Sequence, residues 1–307
     1  MITLGLDVHE SILSAGPRQR RDLLGRAHAA GLDHVVVGDH VSFHGGRGFD
    51  GMVSATAALT SNDDLLVLLG IYQLALRHPI TVARQLASIS QLAPGRLILG
   101  VGAGGEDRSE MLNCGIDPST RGRRLDESLR VLRALASGEA IDHSGEFFEL
   151  KDARVLPAAV PRIPIVVGGT SAAAVRRTAQ FGDGWLGIFC SARRFTEIRE
   201  QIAEAARQAS RPLPSWYGLS VWCGIDTQAG KARAMVAERM ERLYHLPYEK
   251  FERLAPAGTP EQLGEWLLPY LAAGCEHFTL VATTSSWEAG VDHVAEVKRY
   301  LLEHAPA

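Results

Sequence analysis

Cysteine is scarce and scattered. Cys114, Cys190, Cys223 and Cys275 form no Cys-x-x-Cys pair and no zinc-binding spacing. That argues against a zinc site and fits reduced, mostly buried thiols in a cytosolic protein. Basic runs are missing too: the formal net charge is −3, with no stripe of Lys or Arg to neutralise nucleic-acid phosphates, so nucleic acid is not an expected partner. No apolar run reaches the ~20 residues of a membrane span, and Met1–Val8 meets Asp7, His9 and Glu10 too soon to serve as a signal peptide. A soluble, cytoplasmic chain is expected. The Gly-x-Ser-x-Gly elbow of one large hydrolase class is absent. His and carboxylate residues nowhere fall at metal-ligand spacing on one element, so no metal is expected.

What is present is ordinary globular composition, 46% hydrophobic and 22% charged over 307 residues, arranged in a regular alternation. Short apolar runs at Ile2–Val8, His34–Val41, Leu65–Ile71, Arg96–Val101, Ile163–Val167, Gly184–Phe189, Tyr217–Gly224 and His277–Ala282 read as eight strands. Between them lie amphipathic stretches read as helices: Pro17–Ala30, Gly51–Leu59, Ile80–Leu92, Leu125–Ser137, Ser171–Phe181, Phe195–Ala209, Pro260–Ala273 and Val291–His304. Near-continuous apolar strands separated by helices imply a parallel sheet covered on its outer face. Eight such units favour a closed (β/α)₈ TIM barrel over an open doubly wound sheet. Residues 1–307 are accordingly read as one domain. The charged, Met-rich stretch 227–258 breaks the rhythm and reads as a helical insertion after the seventh strand, able to cover the barrel mouth.

Catalysis in such barrels sits at the carboxyl ends of the strands. There the sequence places Asp7-Val8-His9-Glu10, Asp39-His40, Tyr72-Gln73, Gly102–Glu106, Gly168–Ser171, Gly187–Phe189, Trp222-Cys223 and Thr283-Thr284. Glycines, histidines and aromatics in that distribution suit a planar ligand with a phosphate tail. Gly168-Gly169-Thr170-Ser171 leads into a helix and forms a candidate phosphate seat from free N–H groups and hydroxyls; the alternative is a tight turn with Ser171 as helix cap. Gly100–Gly105 is glycine-rich, but no acidic residue follows at dinucleotide-fold distance, so it reads as a loop passing close under a ring. His40, with a carboxylate beside it, is the candidate acid/base. His9, His44 and His78 are weaker candidates.

Several ordered segments resemble the luciferase-like monooxygenase superfamily: Gly38-Asp39-His40, Leu76–Pro79 with Ala83–Ala87, Gly95–Gly104, Arg121–Glu127, Ile165–Ser171, Gly182–Trp185 and Gly258–Glu261. The resemblance implies a (β/α)₈ barrel with a redox cofactor at its mouth. One branch uses reduced FMN and oxygen; another uses the deazaflavin coenzyme F-420 (F420) for hydride transfer. Gly38-Asp39-His40 is similar to the deazaflavin branch, whereas the FMN monooxygenases more often carry Glu-His-His there. F-420 is therefore the expected cofactor and FMN the alternative. By the same resemblance His40 is the acid/base and Asp39 orients it or the ring. Ile71, Tyr72 and Gln73 form a bulge backing the ring, where a non-proline cis peptide is looked for. Gly102, Ala103 and Gly104 pass the ring edge, and Gly168, Gly169, Thr170 and Ser171 hold phosphate. The expected partners are a small-molecule substrate, a separate flavin or deazaflavin reductase, and a second copy of the chain.

Overall fold

A computed structural model describes residues 1–305. Eight parallel strands close into a barrel: β1 (Thr3–Asp7), β2 (His34–Val37), β3 (Leu66–Tyr72), β4 (Leu97–Val101), β5 (Ile165–Gly168), β6 (Gly184–Ile188), β7 (Trp216–Ile225) and β8 (His277–Thr283). Each pairs with its sequence neighbours, and β8 pairs with β1 to complete the circle. The chain is a TIM barrel.

The continuous apolar runs have a simple cause. Successive side chains on a strand point to opposite faces, and here both faces are covered. Val36, Leu68, Ile98, Val166 and Leu186 fill the barrel interior as one cluster. Their neighbours Val35, Val37, Val67, Leu69, Leu97, Leu99 and Val167 face outward and join the larger core beneath the helices.

The stretch 227–258 is an insertion after β7, as expected. Helix Ala229–Tyr244 is followed by a 3₁₀ turn at Tyr248–Lys250 and a two-residue strand, Ala257–Gly258, that pairs with the end of β7. Val236 and Met240 of the helix pack with Tyr248 and Ala255, against Phe189 and Trp222 from the ends of β6 and β7. The insertion therefore lies over the mouth at β6–β8.

The structure departs from the sequence reading in three places. An antiparallel hairpin, Ile141–Ser144 with Glu149–Ala153, stands between β4 and β5. It is held from a distance by buried Glu127, which accepts bonds from the N–H groups of Glu146, Phe147 and Phe148 and contacts His143 Nε2 at 3.0 Å. Two short helices, His9–Ser14 and Arg108–Asn113, occupy the mouth after β1 and β4. Finally, three helices start three or four residues earlier than their apolar periodicity suggests, one of them Arg121–Leu135. Ser191 caps Ala192–Gln208 and Ser286 caps Trp287–His304, each serine Oγ accepting an N–H three residues on.

Candidate active site at the barrel mouth

β2 runs into Gly38-Asp39-His40, and the side chains of Asp39 and His40 take different partners. Asp39 turns outward and is buried. Its carboxylate accepts the Gly51 N–H (2.9 Å), the Gln73 N–H (2.8 Å) and a bidentate pair from Arg77 (2.6 and 2.7 Å). It therefore ties β2 to the helix Gly51–Leu59 and to the end of β3. It does not orient His40, contrary to the reading of them as neighbours.

The group that does is Glu110, which sequence reasoning missed. It lies in the short helix Arg108–Asn113, and its side chain is 2% exposed. Glu110 Oε2 is 3.3 Å from His40 Nδ1, and Oε1 accepts the N–H groups of Val41 (2.5 Å) and Ser42 (3.1 Å). Gln73 Nε2 donates to Glu110 Oε2 (2.9 Å) and to the Asp39 carbonyl (3.1 Å). Burial pushes the Glu110 carboxyl up, but these hydrogen bonds outweigh it and hold it below its ordinary pKa.

With both Gln73 amide protons so committed, the short network assigns a proton on His40 Nδ1 to Glu110. That leaves Nε2 as the ring atom free to meet a substrate. Phe43 stacks on the His40 ring at 4.1 Å, and His44 N donates to Asp107 (2.8 Å), so the loops after β2 and β4 brace each other. His9 lies beside them, its ring 6.3 Å from that of His40. Its Nδ1 accepts the Gly38 N–H (3.0 Å), and burial, then the nearby His40, lower its pKa; it is a neutral wall. His78 accepts the Ile80 N–H at the start of Pro79–Leu92, as a helix cap.

The floor of the mouth is Ile71. β3 bulges between Leu69 and Tyr72, and the Gly70–Ile71 peptide is cis. Ile71 is partly exposed at the top of the interior cluster. A Cβ at Gly102 would run into Ile71 Cδ1, and one at Gly168 would approach its Cγ2 to 3.2 Å, whereas a Cβ at Gly100 would collide with the Leu69 carbonyl oxygen. The glycines at the ends of β4 and β5 thus make room for this side chain. Tyr72 is 1% exposed and sits under the Arg77 guanidinium, 4.6 Å from its ring centroid, so it offers the mouth only backbone. Gln73 belongs to the Glu110 network. A Cβ at Gly104 would meet Gln73 Oε1, and Ala103 packs on the core.

Gly168 joins this floor to the proposed seat. Gly169 has φ 109°, a conformation other residues adopt only with strain. Its carbonyl accepts Trp185 Nε1 (2.7 Å), fixing the turn. Ser171 caps helix Ala172–Phe181 through the Ala174 N–H, and Arg194, at the start of the adjacent helix, reaches the Thr170 carbonyl (3.4 Å). The cap is what the structure shows, and the same helix end is the candidate phosphate seat. An apolar Ile71 floor continuous with a helix amino end and an Arg suits a planar ring with a phosphate-bearing tail. Among the described residues, no group of three or more His, Cys, Asp or Glu is placed to hold a metal. No helix among them is long and apolar enough to cross a membrane.

Asp7, at the end of β1, carries a testable consequence. Burial raises its pKa to about 6, although Arg239 and the His9 N–H pull it down. Between the ordinary 3.8 and 6, the folded state keeps a proton that the unfolded chain has lost, so stability falls as pH rises through that window. Asp7→Asn is therefore expected to stabilise the protein at pH 7 by about 2–3 kcal/mol. The gain should vanish toward pH 4 in urea unfolding. An equal gain at both pH values would contradict the assignment.

Residues 4–259 match the profile of the luciferase-like monooxygenases. The chain belongs to that family. The membership accounts for the ordered motifs along the sequence. An uncharacterized Mycobacterium tuberculosis protein is 37% identical over 118 residues, covering 38% of this chain and 40% of its own length; the chain thus aligns with well under half of that relative. An F420-dependent glucose-6-phosphate dehydrogenase from Beutenbergia cavernae is 27% identical over 321 residues, covering 93% of each chain. Among solved structures, an F420-dependent secondary alcohol dehydrogenase in complex with an F420-acetone adduct superposes with a TM-score of 0.84 at 20% identity, covering 96% of this chain and 98% of that one. At that identity the likeness speaks for the fold.

Proposed function

We propose that this oxidoreductase transfers a hydride between coenzyme F-420 and a small organic substrate, with His40 moving the accompanying proton. The observation that carries the reading is the His40–Glu110 pair: one imidazole, oriented by a buried carboxylate, stands beside a glycine-lined floor. The full-length similarity to an F420-dependent dehydrogenase supports the choice of cofactor. When bound, F-420 supplies the two-electron hydride chemistry. Ile71 would support its ring, with Gly102 and Gly168 on either side, and Gly169, Thr170 and Ser171 with Arg194 would hold its phosphate. His40 Nε2 takes the proton of a substrate hydroxyl in the oxidative direction and returns it in the reductive one. Glu110 stabilises the imidazolium that this creates. Asp39 acts from behind as a positioning residue, pinning β2 and β3.

This reading takes residues 1–307 as one cytoplasmic barrel domain. A second copy of the chain and a separate flavin or deazaflavin reductase are its natural partners. Titration of the purified protein with F-420 and with FMN, followed by cofactor fluorescence, tests the cofactor directly. F-420 is expected to bind tightly and FMN to bind weakly or not at all. The reverse order would transfer the protein to the FMN-dependent monooxygenases.

A further inference from the structure

A second feature of the mouth lies away from His40 and the Ile71 floor. Between the ends of β1 and β8 and the insertion helix is a polar cavity of about 380 Å³, lined in part by Asp7, Glu10, Arg239, Arg242 and Thr283. The Arg239 side chain is 21% exposed. Its guanidinium lies over the face of Trp222, 5.0 Å from the ring centroid, which fixes its position. Its hydrogen-bond contacts are long: the Ala282 carbonyl and Thr283 Oγ1, each at 3.5 Å. Glu10 stands 3.9 Å away on a side chain 79% exposed, a pairing worth little in water.

Other enclosed arginines of this chain are held far more closely. Arg77 meets Asp39 at 2.6 and 2.7 Å, and Arg96 meets backbone carbonyls at 2.7 and 2.9 Å. A charge-assisted bond normally closes to about 2.7–2.9 Å. Arg239 is thus a positioned cation, facing a cavity, whose partners among the described residues all stay at 3.5 Å or beyond. Asp7 lines the same cavity; with its pKa raised by burial to about 6 it offsets Arg239 at pH 7 and ceases to do so as pH falls below 6. Glu238 and Arg242 are exposed at the rim.

We propose that this cavity binds an oxyanion of the substrate, a carboxylate or a phosphate, with Arg239 as its principal ligand and the Thr283 hydroxyl beside it. Only the word substrate depends on the hydride-transfer reading; the anion site stands on its own geometry. Trp222, by holding the guanidinium in place, makes the site ready before the ligand arrives, and the insertion helix that supplies Arg239 thereby sets substrate choice.

Isothermal titration with inorganic phosphate and with acetate tests the proposal, on protein free of F-420 and on protein saturated with it. At least one anion is expected to bind one-to-one and to remain bound when F-420 occupies its own seat. Arg239→Gln should weaken that binding about tenfold or more, and Arg239→Lys should weaken it less. Which anion binds tells carboxylate from phosphate. Absence of binding by both, or binding untouched by Arg239→Gln in a variant that melts cooperatively, would overturn the proposal. If F-420 fails to bind while Arg239→Gln still abolishes anion binding, the cofactor reading falls and the anion site stands.

Discussion

His40→Ala is expected to lower kcat by about 10²–10⁴-fold, the range of a lost general acid/base, while leaving F-420 affinity unchanged. The separation follows from the geometry. The His40 ring is held by Glu110 and Phe43, both protein groups, and the proposed cofactor floor and seat are built from β3, β4 and β5 and the turns that follow them. Truncating the ring removes the proton carrier and little of the binding surface. His40→Gln should lose as much, because an amide cannot exchange a proton with substrate. Glu110→Gln should lose less, since the imidazole remains but its imidazolium is no longer compensated. Stopped-flow measurement of hydride transfer, paired with fluorescence titration, reads both quantities. A His40→Ala enzyme turning over at the normal rate would remove the proposed role.

The second large effect concerns stability. Asp39→Ala is expected to cost about 3–5 kcal/mol, the penalty for leaving one member of a buried ion pair alone. Arg77 would lose both of its close bonds to Asp39, keeping only longer contacts to Asp50 and the Gln73 carbonyl (each 3.3 Å), and the Gly51 and Gln73 N–H groups would lose their acceptor. Because the Gln73 N–H is one of those groups, the β3 bulge should loosen as well, and activity should fall with stability. Asp39→Asn keeps a carbonyl oxygen for one of these donors and should lose less. Urea unfolding of the three proteins decides it. A midpoint for Asp39→Ala within error of wild type would contradict the role given to the ion pair.

These two residues also show what the sequence made legible. The barrel was readable because its strands are covered on both faces, so each appears as an unbroken apolar run such as Val35-Val36-Val37. The hairpin at 141–153 was not. Its strands, Ile-Asp-His-Ser and Glu-Leu-Lys-Asp-Ala, bury few residues, and their anchor, Glu127, comes from a helix some twenty positions earlier. At the site, His40 stood out because it ends a strand. Its true partner did not, because Glu110 looks like any carboxylate in a short helix until folding turns it inward. Asp39 was misleading for the opposite reason: adjacent to His40 in sequence, it takes different partners in space. Arg239 lay in the segment whose path sequence could not trace.

In the proposed complex a deazaflavin ring lies on the Ile71 floor with His40 Nε2 at its reacting side. A crystal structure of the protein soaked with F-420 tests this. Ring density over Ile71, the phosphate at Gly169–Ser171 and His40 Nε2 facing the ring are expected. Density for the ring elsewhere in the mouth, or a His40 ring turned away from it with Glu110 unpaired, would contradict it.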